Sequence, residues 1–332
     1  MKEKEKKAKK FLLSLKETSL IYHGDSDGLC SAVLVSKFLK EKVKMASPND
    51  SYGIQITENL LEDINNFPCG VFVDLAVDQW DFEKIKPKVL VIDHHTPQRD
   101  LNRIKKFIHI NPRLENKKVY FPASYLVFKL LCELDKNMKK YSWIAAVGVI
   151  GDKGDLKKIK FKEKYEDLKF LSDVIEACKG IDGYRGIVKA YEVFSQAERP
   201  EEIMNSKLVR TYHKFQEEID KTILDFRYHA EYFEKTKSYL YKVYNKYNIT
   251  SSVSTILSEE KPDTAFFIYK KNKTLSMSAR CQTGRINLAE LFQKICEGIG
   301  TGGGHPQAAA ANIPKENEDK FLERLRNYLE GI

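Results

Sequence analysis

Ser19-Leu20-Ile21-Tyr22-His23-Gly24-Asp25-Ser26-Asp27-Gly28 opens on a short apolar, β-prone run and passes at once into an imidazole and two carboxylates. An amphipathic pattern over Leu29–Lys42 follows directly, so the stretch reads as a strand, a tight turn and a helix. Taken alone, the segment is better read as an Asx turn with an N-cap, because turns favour Asp and Gly for reasons unrelated to chemistry.

Recurrence changes that reading. Val71-Phe72-Val73 delivers Asp74, and Val89-Leu90-Val91-Ile92 delivers Asp93-His94-His95. A fourth apolar segment, Val147-Gly148-Val149-Ile150-Gly151, delivers Asp152, with glycines that let the backbone turn tightly. Helical periodicity at Phe82–Ile85, Ser124–Asp135 and Lys140–Val149 alternates with these runs, as expected of a parallel α/β sheet. Such sheets bind ligands at the C-terminal ends of their strands, where these four acidic deliveries would lie. Gathered carboxylates repel one another and are costly to desolvate, so a site holding Asp25, Asp27, Asp74 and Asp152 calls for cations. Oxygen ligands mixed with imidazole suit Mn²⁺, with Mg²⁺, Co²⁺ or Zn²⁺ as less favoured occupants.

Outward from this half, residues 199–234 are charged, nearly free of Gly and Pro, and apolar at helical spacing, which reads as a helical connector. Beyond it, strands are expected at Tyr239–Val243, Thr264–Tyr269 and Thr274–Ala279, and helices at Ser252–Ser258, Asn287–Ile295 and Lys315–Leu329. The expected organisation is a catalytic domain over 1–195, a connector over 196–236 and a smaller α/β domain over 237–332. Near the C-terminus, Gly300-Thr301-Gly302-Gly303-Gly304-His305 reads as a loop whose bare backbone N–H groups could receive an anion. A hinge or a tight loop before a small-residue element reads equally well.

The four motifs HGDSDG, VFVDLA, VIDHH and VGVIGDKGD, in that order, resemble those of the DHH phosphoesterase family, and the GGGH run resembles the signature of the DHH-associated domain. That resemblance implies two Mn²⁺ ions held by His23, Asp25, Asp27, Asp74, His94 and Asp152, with Asp74 bridging. It also implies that His95 faces the scissile phosphate and that Asp93 orients a ligand from behind. The second domain would bind substrate through Gly302, Gly303, Gly304, His305 and Arg280, with Arg285 as a further candidate. Asn111 and Ser124 are either a turn residue and an N-cap or hydrogen-bonding residues of the site. Asp78 and Asp155 are assigned to turns or caps, and His109, His213 and His229 to structure or surface.

The activity so implied is two-metal hydrolysis of phosphodiesters in single-stranded DNA, RNA or short oligonucleotides, acting from a chain end. RecJ-like exonucleases and nanoRNase-like enzymes share these motifs, as do cyclic-dinucleotide or nucleotide phosphodiesterases, and the compact length suggests an archaeal-type relative or a nanoRNase-like enzyme. A catalytically silent replication scaffold is the non-enzymatic alternative, and every ligand position being filled argues against it. The manganese-dependent pyrophosphatases of the family lack a GGGH domain. A formal net charge of +9 favours a polyanionic partner, although a Lys- and Glu-rich surface alone would give it too. A homodimer and replication or repair proteins stay open as partners. Six scattered cysteines without a CxxC pair, no secretory signal and no long apolar run point to a cytoplasmic protein with reduced thiols and no membrane partner.

Overall fold

The computed structural model describes residues 2–49 and 56–331. The chain divides into two compact units, 1–213 and 214–332. The first contains α1 (Lys2–Ser14), β1 (Thr18–His23), α2 (Ser26–Leu39), β2 (Val43–Asn49), α3 (Glu58–Asn65), β3 (Cys69–Val73), β4 (Lys88–Ile92) and β5 (Phe107–Ile110). It continues with α4 (Ala123–Leu134), α5 (Ser142–Gly151), α6 (Tyr165–Asp182), α7 (Tyr184–Gln196) and α8 (Pro200–Met204), and α9 (Leu208–His229) runs across the division.

The five strands form one parallel sheet in the order β2-β1-β3-β4-β5. Both faces are buried, which is why its strands read as continuous apolar runs rather than as an alternation. Leu20, Tyr22, Val71, Val73, Leu90 and Ile92 face a core shared with α1, α2 and α4 to α7. The alternate residues Ile21, Phe72, Val89 and Val91 face a second core containing Ile64 of α3 and Trp80 and Phe82. The direction of winding reverses at β1, whose neighbours are β2 on one side and β3 on the other. A doubly wound sheet opens a ligand crevice at such a switch point.

Register then sets the level of the site. Tyr22 pairs with Val73, Val73 with Ile92, and Ile92 with Ile110. The next residues, His23, Asp74, Asp93 and Asn111, therefore stand side by side along one edge of the sheet.

In the second unit, β6 (Glu231–Phe233), β7 (Ser238–Lys242), α10 (Thr250–Glu260), β8 (Ala265–Lys271), β9 (Thr274–Arg280), α11 (Leu288–Cys296), β10 (Thr301–His305), β11 (Ala308–Pro314) and α12 (Glu318–Glu330) follow α9. Its six strands are ordered β10-β11-β9-β8-β7-β6. They pair antiparallel except for β7 with β8. The α/β class of both halves and the parallel sheet of the first agree with what the sequence predicts.

Several expectations need correction. The fourth acidic delivery is made by a helix: Val147–Gly151 is the end of α5, and Asp152 is its C-cap. The helical pattern read over 140–149 agrees with α5, and what changes is that this helix, not a strand of the sheet, carries the chain to Asp152. Gly302–His305 is edge strand β10, not a loop, because it pairs residue for residue with the small side chains of β11. Residues 231–233, read as part of the connector, form a strand of the second sheet, and Phe82–Ile85 is only a 3-10 turn. The N-terminal charged run is helix α1, which buries Ala8, Phe11 and Leu12 along one side.

Candidate metal centre

His23 is the last residue of β1, and the chain turns directly into α2. Asp25 is the N-cap of that helix: one carboxylate oxygen accepts from the Gly28 N–H at 3.0 Å, and the other lies 2.8 Å from His23 Nδ1. The capping and functional readings of this segment therefore describe the two oxygens of one side chain. Asp27, in the first turn of α2, is fully buried and accepts from the N–H groups of Ala123 at 2.6 Å and Ser124 at 2.9 Å. These donors are free because they begin helix α4, where the first turn has no internal acceptors and carries partial positive charge. Ser124 thus contributes its backbone to the site, while its hydroxyl donates to the Ala145 carbonyl at 3.3 Å.

Asp74 follows β3 with φ 58°, the left-handed region that Asp tolerates better than most residues. Its N–H donates to the Ile92 carbonyl at 2.9 Å, holding the turn against β4. Its carboxylate lies 3.4 Å from His23 Nδ1, 3.0 Å from His94 Nε2 and 3.8 Å from His95 Nδ1. His94 Nε2 is also 3.5 Å from Asp152 and 4.0 Å from Asp27. Asp93 Oδ1 lies 2.7 Å from His95 Nδ1, and Asp93 Oδ2 accepts from Asn111 Nδ2 at 3.3 Å. Asn111 donates as well to the His95 carbonyl at 2.9 Å, so it fixes both members of that pair.

The titration of these groups reports the crowding. Burial opposes a charge on His23 and on His94, but Asp25 and Asp74 outweigh it at the first, and Asp74, Asp27 and Asp152 push the second up to about 10. Asp27 is raised by burial and by repulsion from Asp74, and Asp152 by burial and by its acidic neighbours, against His94 and Tyr120. Asp25 falls well below the usual carboxylate range because His23 overcomes its burial, and Asp93 is drawn to about 2 by His95 in the same way.

Three observations fit divalent cations. Asp74, His94 and His95, then His23, Asp25 and Asp74, and then Asp27, His94 and Asp152 form groups whose ligand atoms all lie within 4.8 Å of one another. Asp74 belongs to two of these groups. Its buried Oδ1 makes no hydrogen bond, because at 3.0 Å the His94 ring is close but not aligned for one. Asp152 adds a carboxylate at a helix C-terminus, where the helix dipole disfavours negative charge and a nearby cation relieves it.

The sequence pattern does not reveal Tyr120. Its hydroxyl donates to Asp152 Oδ2 and, at 2.9 Å, to the Asp152 carbonyl, and its ring stands edge-on to His94 with centroids 5.2 Å apart. Arg113 also lies over that ring, 5.4 Å from its centroid, and is anchored to Thr96 Oγ1 at 2.8 Å and the Val119 carbonyl at 3.1 Å. Only its place just ahead of Pro122 and α4 marks Tyr120 in the sequence. Asp78 accepts from the N–H groups of Gln98 and Arg99, and Asp155 from that of Lys157, both holding turns. His109 is buried in β5, and His229 lies on the exposed end of α9 beside Asp225.

In the second unit, Arg280 ends β9 with Nη1 donating to the Ala279 carbonyl at 2.9 Å and Nη2 to Ser251 Oγ at 3.2 Å. Arg280 pairs with Ala308, and Ala308 with His305, so Arg280 and His305 lie in one row on one face of the sheet. The three glycines have different grounds. A Cβ on Gly302 would stand 2.5 Å from Cys296 Sγ of α11, and Gly304 has φ 144°. At Gly303 a Cβ would meet nothing within 4 Å, so there the bare backbone faces open space. Arg285 spends its donors on the carbonyls of Asp263 at 2.6 Å and Lys237 at 2.7 Å, which makes it a structural clamp.

A parallel α/β sheet with a carboxylate–imidazole cluster at its switch point defines a metal-dependent hydrolase. Residues 19–150 match the DHH family N-terminal domain, and residues 236–331 match the DHHA1 domain. The chain thus combines a DHH family N-terminal domain with a DHHA1 domain. No curated protein matches it by sequence. Among solved structures it is similar to RecJ in complex with Mn²⁺ from Thermus thermophilus, at 15% identity and TM-score 0.75, over 99% of this chain and 55% of that one. The chain therefore spans about half the length of that RecJ. It is similar also to exonuclease RecJ bound to manganese, at 16% identity and TM-score 0.73, over 99% and 94% of the two chains. A third is the DHH domain of a member of a family of ribosomal proteins, at 17% identity and TM-score 0.73, over 100% and 91%. At such identities the likeness is one of fold.

Proposed function

We propose that this chain is a Mn²⁺-dependent phosphodiesterase of the exonuclease type, which hydrolyses single-stranded DNA or RNA, or short oligonucleotides, from a chain end. The observation that carries this is the position of Asp74, common to two ligand groups at the sheet's switch point. Mixed imidazole and carboxylate donors favour Mn²⁺ over the harder Mg²⁺. His23, Asp25, Asp27, Asp74, His94 and Asp152 would hold two ions, which when bound supply Lewis acidity for attack of water on phosphorus. His95, held at Nδ1 by Asp93, presents its other nitrogen to charge developing on the phosphate. Asn111 keeps that pair from turning. In the second unit, Arg280 and His305, aligned across β9, β11 and β10 beside the bare Gly303 backbone, supply donors suited to a phosphate at a strand end.

The test uses the chelator-stripped full chain, returned to Mn²⁺, with end-labelled RNA and DNA of graded length and with cyclic dinucleotides. A ladder of products shortening from one end is expected, together with its loss in Asp74→Asn. Mn²⁺ at about 100 times its dissociation constant stabilises the wild type by about 2.7 kcal/mol, roughly 5–10 °C in melting temperature, and leaves Asp74→Asn unmoved. Hydrolysis that survives both chelator and Asp74→Asn refutes the metal assignment. Cleavage confined to cyclic dinucleotides refutes the strand-end reading and leaves the metal assignment standing.

A further inference from the structure

The strands that place Asp93 and Asn111 at the metal end of the sheet begin, at its other end, beside a cavity of about 550 Å³ between α1 and the starts of β4 and β5. Lys4, Lys7 and Lys10 line it from α1, and Lys88 and Lys105 from the sheet side. Lys7 is paired with Glu3 at 3.0 Å and Lys4 with Asp100 at 3.3 Å. Among the described residues, Lys10, Lys88 and Lys105 have no carboxylate within 4.0 Å, and all three are exposed. Lys88 Nζ lies 5.6 Å from the centroid of the buried Phe11 ring, so its stem is supported while its charge stays in water. The cavity is large enough for a small ligand or for one stretch of a polymer.

Three uncompensated ammonium groups around one concavity repel each other and attract a polyanion. They are flexible point charges rather than forked guanidinium groups, which suits a backbone of phosphates more than recognition of one fixed group. The cavity stands a strand's length from the metal cluster, about 16 Å for the five residues of β4, so a phosphate held there is out of reach of the hydrolytic site.

We infer that this lysine cavity is a second binding site for single-stranded nucleic acid, holding the sugar–phosphate backbone without reading its bases. The inference rests on the proposed nucleic-acid substrate and adds to it where part of a longer strand is held. Each lysine on a single strand contributes about 0.7 to the slope of log affinity against log salt. Loss of three lowers the slope by about 2, a difference of about 20-fold over the range from about 50 to 200 mM salt.

The experiment compares the full wild-type chain with Lys10→Gln/Lys88→Gln/Lys105→Gln, in chelator so that nothing is cut. Binding of a long and a very short fluorescent oligonucleotide is measured by anisotropy against salt. The expected result is weaker binding of the long strand with the shallower slope, unchanged binding of the short one, and unchanged Mn²⁺-dependent hydrolysis of the short one. Equal affinity and slope for the long strand in both proteins overturns the inference, and so does displacement by polyglutamate with no effect of the triple change on nucleic acid. Should the triple variant melt early, Lys105→Glu alone carries the same test. Failure of the wild type to bind or cut any strand would instead overturn the proposed function.

Discussion

Phenylalanine in place of Tyr120 removes one hydroxyl and keeps the ring that stands against His94 and under Arg113. That hydroxyl is the side-chain group holding the Asp152 carboxylate from outside the ligand cluster, and it also fixes the Asp152 carbonyl at 2.9 Å. A hydrogen bond to a charged group contributes about 1.5–3 kcal/mol. Tyr120 is 40% exposed, so water can replace the lost donor in part, and the lower end of that range applies. About 1.4 kcal/mol is tenfold in affinity, the low end of the 10- to 100-fold loss typical when a ligand's orienting partner is removed. Calorimetric titration of the metal-free full chain with Mn²⁺ should show roughly tenfold weaker binding in Tyr120→Phe. Tyr120→Ala, which also removes the ring, should weaken binding further. Wild-type affinity in Tyr120→Phe would refute the assignment of the hydroxyl as the group that positions Asp152.

Two other outcomes follow from the same geometry. In the metal-free protein, burial opposes a charge on His94, but Asp74, Asp27 and Asp152 raise its pKa from 6.5 to about 10. A raised histidine pKa stabilises the fold fully below about pH 6.5 and ceases to do so as pH rises through about 10. Metal requires the neutral ring, so saturation with Mn²⁺ near pH 7 should release protons, and affinity should rise with pH across that window. Calorimetry in buffers of different ionisation enthalpy reads the proton count, and a count of zero would contradict His94 as a ligand. Gly28→Ala would place a Cβ 2.2 Å from the His23 carbonyl oxygen, a backbone atom that cannot swing aside. The expected cost is about 1–3 kcal/mol, with loss of the Asp25 cap and of the melting-temperature rise with Mn²⁺. A variant that melts and responds like wild type would show that this turn has more room than its geometry allows.

The local chemistry of the site was legible wherever an apolar run ended in acid. β1, β3 and β4 are short and buried on both faces, so their sequences show uninterrupted apolar segments followed by residues that no turn alone requires. The segment before Asp152 showed its helical period over 140–149, and only its apolar end followed by an acid made the delivery resemble that of a strand. Consecutive glycines at 302–304 read as a loop because glycine weakens strands, yet facing Ala309–Ala311 they form one, with α11 close against Gly302. Helix α1 was hidden by its charge, since its buried side shows only at Ala8, Phe11 and Leu12.

By itself the sequence determined which residue types are delivered, and at which ends of which elements, because backbone periodicity and turn chemistry act over a few residues. Tertiary structure alone decided that β1 lies between β2 and β3, that Tyr22 pairs with Val73, and hence that His23 and Asp74 meet at 3.4 Å. It also decided that the first turn of α4 seats Asp27 and that Tyr120 reaches Asp152. Such encounters join residues far apart along the chain. Strand order and register are set by the packing of two whole cores against the sheet, which no local run of residues records.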